Sequence, residues 1–198
     1  MEYLVDMTTH VPDRTPPQAI DDIRTRESKR AQQLAAQGHL LRLWHPPLQP
    51  GQWRSLALFA CDDSDDLTRI LITMPPHAWR TDEVTSLTRH PNDPALEVRP
   101  ETTEFLTTFT VTVPAGTPPQ AVEHTNARAA ERVHQLAGQG YLARLWTLPG
   151  EGRSLGLWQT HDAAEMQAIL ESLPLGTWVI VQTRPLTRHP NDPATAKT

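Results

Sequence analysis

The sequence predicts an α+β fold of two ferredoxin-like βαββαβ domains, packed as a pseudo-two-fold dimeric α+β barrel. The segment LTRHPNDP occurs at 87–94 and again at 186–193, and the similar segments QGHLLRLW and QGYLARLW surround Gly38 and Gly140. Each copy repeats the same order of strand-like and helical apolar patterns. An antiparallel sheet with both helices on one face must cover its other face, and a second copy of that sheet is an obvious partner.

The two copies run in the same order along the chain. Their glycines are 102 residues apart and their HPNDP segments 99 apart, so the first copy holds three additional residues between these marks. The difference falls in the loop HPPLQPGQW, matched by the shorter TLPGEG, and surface loops absorb such changes at little cost. We therefore expect one domain at 1–95 and a second at 103–198, joined by an exposed linker.

Each copy predicts the order strand, helix, strand, strand, helix, strand. Proline in the first turn and Gly38 or Gly140 after the last turn delimit the long helix, and the second helix ends before Pro75 or Pro174. In the first copy we expect strands at 3–9, 40–44, 55–60 and up to 87, with helices at 16–37 and 63–73; in the second copy, strands at 105–113, 142–146, 154–159 and up to 186, with helices at 118–139 and 162–173.

Composition excludes several classes of function. The chain has 198 residues and a net charge of −5, and it shows no basic runs, so binding to nucleic acid is not expected. No signal peptide or apolar run long enough to cross a bilayer is found, which favours a soluble cytoplasmic protein. The single Cys61 excludes an intramolecular disulfide and a CxxC metal site. We expect a small-molecule substrate and no cofactor, and the sequence leaves a homo-oligomer open.

Glu27 is the residue that fits its surroundings least. It lies on the apolar stripe of the first long helix, one turn from an apolar residue on either side, and the second copy has Ala129 there. Burial raises the pKa of a carboxyl group and makes it a better proton acceptor. Glu27 is therefore a candidate general base, with the first domain active and the second a scaffold. A structural ion pair with Arg42 or Arg54, or a side chain bent out to water, is the alternative.

Further candidates lie on the strands after this helix. Arg42 and Trp44 share one face of a strand, where a guanidinium could hold an enolate or carboxylate oxygen, or simply pack on the indole. Arg54 begins the next strand and allows the same two interpretations. His45 could serve one site only, because Thr147 replaces it in the second copy. The substrate pocket is expected to be formed by Trp44, Trp53, Ser55 and Phe59.

The identical tails each contain a histidine, His90 or His189. Their persistence favours a shared structural role, such as capping the neighbouring domain, over proton transfer. The spacing of histidine, asparagine and aspartate within HPND matches no familiar metal site, and we expect no metal.

Several of these features occur together in one known family. Glu27 on its helix, Gly38, LRLW at 41–44, an MP or LP pair after the second helix, and the terminal HPND resemble the muconolactone δ-isomerase family, over essentially the whole chain, twice. The resemblance implies ferredoxin-like units that pair their sheets, assemble into rings and isomerise an unsaturated five-membered lactone, with Glu27 as the proton-transfer residue. His45 and Thr147 stand where the family usually has arginine, which favours another substrate.

Three functions are weighed on this basis. The first is an isomerase or cyclase that moves a proton on a lactone or polyketide-like enone, in aromatic catabolism or specialised metabolism. The second is a non-catalytic protein that binds a small molecule or acts as an accessory on the same scaffold. The third, a monooxygenase-like activity, rests on fold analogy alone. The Glu27/Ala129 difference favours the first, because a mere binder has less need of a buried carboxylate.

Overall fold

The computed structural model describes residues 1–48, 53–75, 77–99, 101–174 and 178–197. The chain divides into two compact units: the N-terminal unit comprises Met1–Leu87 with Thr187–Thr198, and the C-terminal unit comprises Thr88–Leu186. The HPNDP tail of each sequence copy therefore belongs to the unit that the other copy builds.

The N-terminal unit is a four-stranded antiparallel sheet with two helices. Its elements are β1 (Glu2–Thr9), α1 (Pro17–Ala36), β2 (Leu40–His45), β3 (Trp53–Ala60), α2 (Ser64–Ile72) and β4 (Arg80–Arg89). The strands lie in the order β4-β1-β3-β2. At the β2 edge, Trp44 pairs with Arg188 and His45 with Thr187, so the chain's last strand adds its end to this sheet.

The C-terminal unit repeats this architecture. Its elements are β5 (Thr103–Val111), α3 (Pro119–Gly138), β6 (Leu142–Thr147), β7 (Arg153–Thr160), α4 (Ala163–Glu171) and β8 (Val179–Arg188). The strands lie in the order β8-β5-β7-β6, and the end of β4 pairs with β6 through Thr88 and Arg89. The predicted α+β fold with two ferredoxin-like units is confirmed. No helix in the described part of the chain is long and apolar enough to cross a membrane.

The ends of the helices follow from local sequence. α1 and α3 begin with proline in the first turn, where the missing N–H costs no hydrogen bond. They end before Gly38 and Gly140, whose φ values of 78° and 81° lie in the left-handed region that glycine adopts without strain. Asp63 and Asp162 cap the shorter helices by accepting a backbone N–H from the first turn.

Each unit buries an apolar core between its sheet and its helices. In the N-terminal unit the inner face of α1 contributes Ala31 and Leu34, and β1 and β3 contribute Val5 and Phe59, all of them buried. The core of the C-terminal unit is centred on Leu136 and Trp158. Burial of such side chains contributes about 1.5–3 kcal/mol each. The position of Glu27 on the core-facing stripe of α1 is therefore an exception that needs a reason other than stability.

Candidate active site

An open cleft of about 480 Å³ lies on the N-terminal unit, beside the middle of α1. It is lined by Arg24, Glu27, Ser28, His45, Leu48, Trp53, Arg54, His189, Pro190 and Asn191. Helix α1, the end of β2, the start of β3 and the C-terminal tail all contribute to it. The volume is within the range of small-molecule sites in proteins.

A small apolar pocket continues inward from the same place. Glu27, His189 and Asn191 line both spaces, and the inner pocket is otherwise formed by Met7, Ala31, Leu40, Leu43, Ser55, Phe59 and Met74. Its free volume of about 10 Å³ leaves space for about one water molecule. A guest molecule would therefore sit in the outer cleft, with the apolar pocket behind it and Glu27 at the junction.

The Glu27 carboxyl group is half-buried, and no hydrogen bond or ion pair joins it to any described residue. Burial raises the pKa of Glu27 above its ordinary value of 4.5, while the positive charges of Arg80 and Arg24 act in the opposite direction. Arg80 does not clamp the carboxylate, because its own guanidinium is paired with Asp82. The result is a carboxylate that is poorly solvated, unrestrained and accessible from the cleft.

The two arginines that were candidates for pairing with Glu27 are held by other carboxylates. Arg42 is bound by Asp192, with Nη2 at 2.8 Å and Nε at 3.1 Å from its oxygens. Arg54 forms a two-point pair with Asp6, both distances being 2.7 Å, and the hydrogen bond to Asp6 is the main cause of its raised pKa. Glu27 therefore forms no structural ion pair with either Arg42 or Arg54.

Most of the predicted site residues come together here. His45, Trp53 and Arg54 line the cleft with Glu27, while Ser55 and Phe59 line the inner pocket. Arg54 keeps Nη1 free of any hydrogen bond to described residues, so the two N–H groups of Nη1 remain for a ligand.

Arg42 and Trp44 are not brought together with Glu27. They share a face of β2 as expected, with the guanidinium 4.8 Å from the indole centroid. Neither is among the residues that line the cleft or the inner pocket. A bulge between Leu40 and Arg42 shifts the alternation of β2, so that Leu43 and His45 face the helix instead. The expected use of Arg42 as an oxyanion partner of Glu27, and of Trp44 as a wall of the substrate pocket, does not fit this placement.

Among the cleft residues that the sequence did not predict, two polar ones come from the C-terminal tail. His189 comes from the tail of the second copy, and its ring centroid lies 4.4 Å from that of His45. Asn191, two residues later, accepts a hydrogen bond from Ser28 Oγ at 2.9 Å through Oδ1. Ser28 follows Glu27 on α1 and is replaced by Ala130 in the second copy. After Glu27/Ala129, Ser28/Ala130 is the second position of this helix at which the second copy lacks a polar residue. This difference was the sequence signal that could have indicated a contact between the tail and the site.

Comparison with known proteins fixes the family. The sequence profile of Muconolactone delta-isomerase matches residues 1–93 and again 103–192. The chain belongs to the muconolactone delta-isomerase family. Membership confirms the resemblance seen in the sequence and identifies the chain as an isomerase.

Curated relatives each correspond to one copy. The Muconolactone Delta-isomerase of Cupriavidus pinatubonensis is 32% identical over 92 residues, which are 46% of this chain and 97% of the relative. Muconolactone Delta-isomerase 1 of Acinetobacter lwoffii is 29% identical over 81 residues, which are 41% and 84%. Chlorite dismutase from Candidatus Nitrospira defluvii superimposes with a TM-score of 0.65 at 10% identity, covering 99% of this chain and 94% of that one, which shows the fold alone.

In this doubled muconolactone isomerase relative, the second copy carries larger side chains around the equivalent space. Phe109 stands for Met7, Val133 for Ala31 and Trp158 for Phe59. The rings of Phe109 and Trp158 pack edge to face, with centroids 6.3 Å apart. Trp158 is almost fully buried, yet its indole N–H has no partner in the described part of the chain.

Gly156 makes room for this tryptophan. It replaces Ala57, and a Cβ at Gly156 would overlap the Trp158 indole. The C-terminal unit thus lacks the carboxylate of Glu27 and has enlarged the side chains where the N-terminal unit keeps its inner pocket. Polar or small side chains of the N-terminal site are thus replaced by apolar or larger ones in the C-terminal unit. This is the change expected where a binding role has been lost.

Away from the cleft, His39, Cys61 and Asp66 each bring one potential metal-ligating atom within 4.8 Å of the others, which the expectation of no metal did not foresee. The equivalent positions of the second copy also converge, since the Tyr141 hydroxyl donates to Glu165 at 2.9 Å. The convergence is therefore a property of the fold. Burial raises the pKa of Cys61 to about 11, so its thiol is protonated at neutral pH.

Proposed function

We propose that the protein isomerises an unsaturated lactone, or a related enone, by proton transfer in the cleft of the N-terminal unit, with Glu27 as general base. One observation carries the proposal. The Glu27 carboxylate borders an open cleft, is desolvated enough to have a raised pKa, and is restrained by no described partner. A carboxylate in this state accepts a proton more readily than a solvated one, and a structural role would have required a partner.

The reaction consists of two proton transfers. Glu27 takes a proton from a carbon next to the conjugated system, and the electrons of that C–H bond move into the conjugated carbonyl, giving an enolate. Glu27 then returns the proton to a different carbon of the same system, so the double bond changes position and the atoms balance. The step needs no change in oxidation state, so side chains of the cleft suffice and no cofactor is required.

The remaining residues of the cleft fit a small, partly apolar substrate that carries oxygen atoms. Trp53 provides an aromatic wall, and the Arg24 guanidinium lies 5.1 Å from its ring centroid. Arg54 lines the cleft, and Asp6 orients its guanidinium through Nε and Nη2, which leaves Nη1 unpaired among the described residues. An oriented arginine recognises carboxylate and enolate oxygens well. A lactone from aromatic catabolism is a small, partly apolar molecule of this kind that carries oxygen atoms. A cyclisation in specialised metabolism would begin from the same enolate.

The test is the conversion of muconolactone by the wild-type protein and by Glu27→Gln. Gln keeps the size of the side chain but cannot accept the proton, so we expect kcat/KM to fall by about 10²–10⁴-fold, the usual contribution of a general base. Glu123→Gln, at an exposed position of α3, is the matched control and should leave the rate unchanged.

Retention of the wild-type rate in Glu27→Gln would refute the proposal. If wild-type protein binds muconolactone and returns it unchanged after long incubation, the accessory binding function replaces the catalytic one for this lactone.

A further inference from the structure

We propose that the neutral imidazole of His189 donates a hydrogen bond from Nε2 to the enolate oxygen while Glu27 transfers the proton. The inference rests on the proposed function and adds to it the group that holds the developing negative charge. Such a donor supplies the electrostatic stabilisation for which Arg42 was a candidate in the sequence, whereas the structure shows Arg42 bound to Asp192.

The backbone around His189 is fixed on both sides. Its own N–H donates to Leu43 O at 3.1 Å, and three residues later Asp192 Oδ1 accepts the N–H of Leu43 at 3.1 Å. Between them, Asn191 accepts the hydrogen bond from Ser28 on α1. The tail is thus tied to β2 and to α1, and His189 is held at the wall that the outer cleft and the inner pocket share with Glu27.

A hydrogen bond from the backbone selects the tautomer of His189. The N–H of Asn191 points to Nδ1 at 3.0 Å, so Nδ1 must offer its lone pair. A neutral imidazole carries one ring proton, which then resides on Nε2. No hydrogen bond from Nε2 to a described residue is present, so this N–H is available to a ligand in the cleft.

The charge state of His189 agrees with this geometry. Burial is the main cause that lowers the pKa of His189 to about 4, and the nearby His45 is the second, although the charge of Asp192 opposes the shift. The ring is therefore neutral at physiological pH. A neutral imidazole can polarise a carbonyl and stabilise an enolate by a hydrogen bond while it keeps its proton. An imidazolium, in contrast, would transfer its proton to the enolate and trap the intermediate.

The step is balanced without any further reactant. Glu27 gains the proton that the substrate carbon loses, and the electron pair of the broken C–H bond becomes charge on the carbonyl oxygen. The hydrogen bond from His189 Nε2–H to that oxygen becomes shorter, and the imidazole keeps its proton. When Glu27 returns the proton, the charge disappears and both side chains regain their starting states.

The sequence repeat provides a matched control for His189. His90 occupies the same place in an identical tail: its N–H donates to Leu145 O at 3.2 Å, and its Nδ1 accepts the Asn92 N–H at 3.1 Å. The C-terminal unit, however, has Ala129 at the position of Glu27. Any purely structural role of the tail histidine should therefore be the same at both positions, whereas a catalytic role should exist at His189 alone.

The experiment compares His189→Ala, His189→Gln and His90→Ala, with muconolactone as substrate. We expect His189→Ala to lower kcat by about 10²–10³-fold, the usual effect of losing one oxyanion donor, with a smaller change in KM. His189→Gln, which can place an amide N–H near Nε2, should recover part of the loss, and His90→Ala should keep the wild-type kcat. Thermal unfolding should report similar stability losses for the two alanine variants.

Equal kcat values for His189→Ala and His90→Ala would overturn the inference. Nitrogen-15 NMR of the imidazole rings gives a second readout that needs no substrate: we expect the His189 proton on Nε2 at neutral pH. A proton on Nδ1, or a charged ring, would overturn the inference and leave Glu27 as the base. Absence of turnover in the wild-type protein would instead refute the proposed function, and with it this role of His189.

Discussion

At the scale of single residues, the molecule keeps a carboxylate where its own second copy shows that an apolar side chain is compatible with the fold. Ala129 occupies the equivalent position of α3. Within the part of the chain that the structure describes, Glu27 has no hydrogen-bond or ion-pair partner that offsets its desolvation. Residues of this kind are commonly retained for function at a cost in stability.

This cost predicts a pH-dependent gain in stability for Glu27→Gln. The folded-state pKa of Glu27 is raised above its ordinary value of 4.5, so the protonated form is favoured in the folded state and ionisation destabilises it as pH rises through the folded-state pKa. Glu27→Gln should therefore raise the unfolding temperature at pH 7 to 8, and the gain should shrink below about pH 4.5, where wild-type Glu27 is protonated.

Thermal unfolding followed by circular dichroism across this pH range measures the effect. Glu123→Gln, on the exposed face of α3, should show no such trend. A gain for Glu27→Gln that grows toward acidic pH would contradict the claim that the carboxylate is desolvated.

At the scale of elements, the sequence predicted what depends on local pattern. Helix α1, its stop at Gly38 and the misfit of Glu27 on its apolar stripe follow from spacing along one helix, and the structure agrees. Arg42 and Trp44 share one face of β2 as predicted, but that face does not border the site, because a bulge between Leu40 and Arg42 changes which side chains face the helix. The apolar pattern of a six-residue strand does not reveal such a bulge.

Introducing a carboxylate at position 129 of the C-terminal unit should not make that unit catalytically active. Ala129→Glu places a carboxylate on α3, but Phe109, Val133 and Trp158 are each larger than their counterparts in the N-terminal unit. We expect Ala129→Glu to lose about 1–3 kcal/mol of stability from burial of an unpaired polar group, and to restore no turnover to Glu27→Gln. Denaturant unfolding and the muconolactone assay measure the two effects.

Ala127→Glu, at an exposed position of the same helix, is the control and should be nearly neutral. Restored turnover in the doubly substituted protein would show that the C-terminal unit still has a working pocket, and the scaffold interpretation would fail.

At the scale of the whole molecule, the division into units decides the composition of the site. The tail from Thr187 onward belongs to the N-terminal unit, although the sequence repeat assigns it to the second copy. A repeat in sequence records what was duplicated but not which long-range contacts the tails make. His189 and Asn191 were therefore missed as site residues, whereas Glu27, His45, Trp53 and Arg54, which precede the tail, were found.

The buried aspartates of the two tails allow this arrangement to be tested. Asp192 holds Arg42 and the N–H of Leu43, and Asp93 holds Arg144 and the N–H of Leu145 at 2.8 Å. Because each substitution removes the carboxylate from a buried pair, Asp192→Ala and Asp93→Ala should each lose roughly 3–5 kcal/mol of stability.

Only Asp192→Ala should also lower kcat, because only that tail carries the histidine beside Glu27. Chemical unfolding and kinetics at a temperature where both variants are folded separate the two effects. An equal loss of kcat in Asp93→Ala would contradict the assignment of the site to the N-terminal unit.

The most direct test of the central claim is exchange of the substrate's acidic C–H in deuterium oxide, followed by NMR with muconolactone. Proton transfer by Glu27 predicts that the wild-type protein introduces solvent deuterium at the carbon that receives the proton, and that Glu27→Gln does so no faster than solvent alone. Exchange at the wild-type rate in Glu27→Gln would show that another group removes the proton, and would contradict the account.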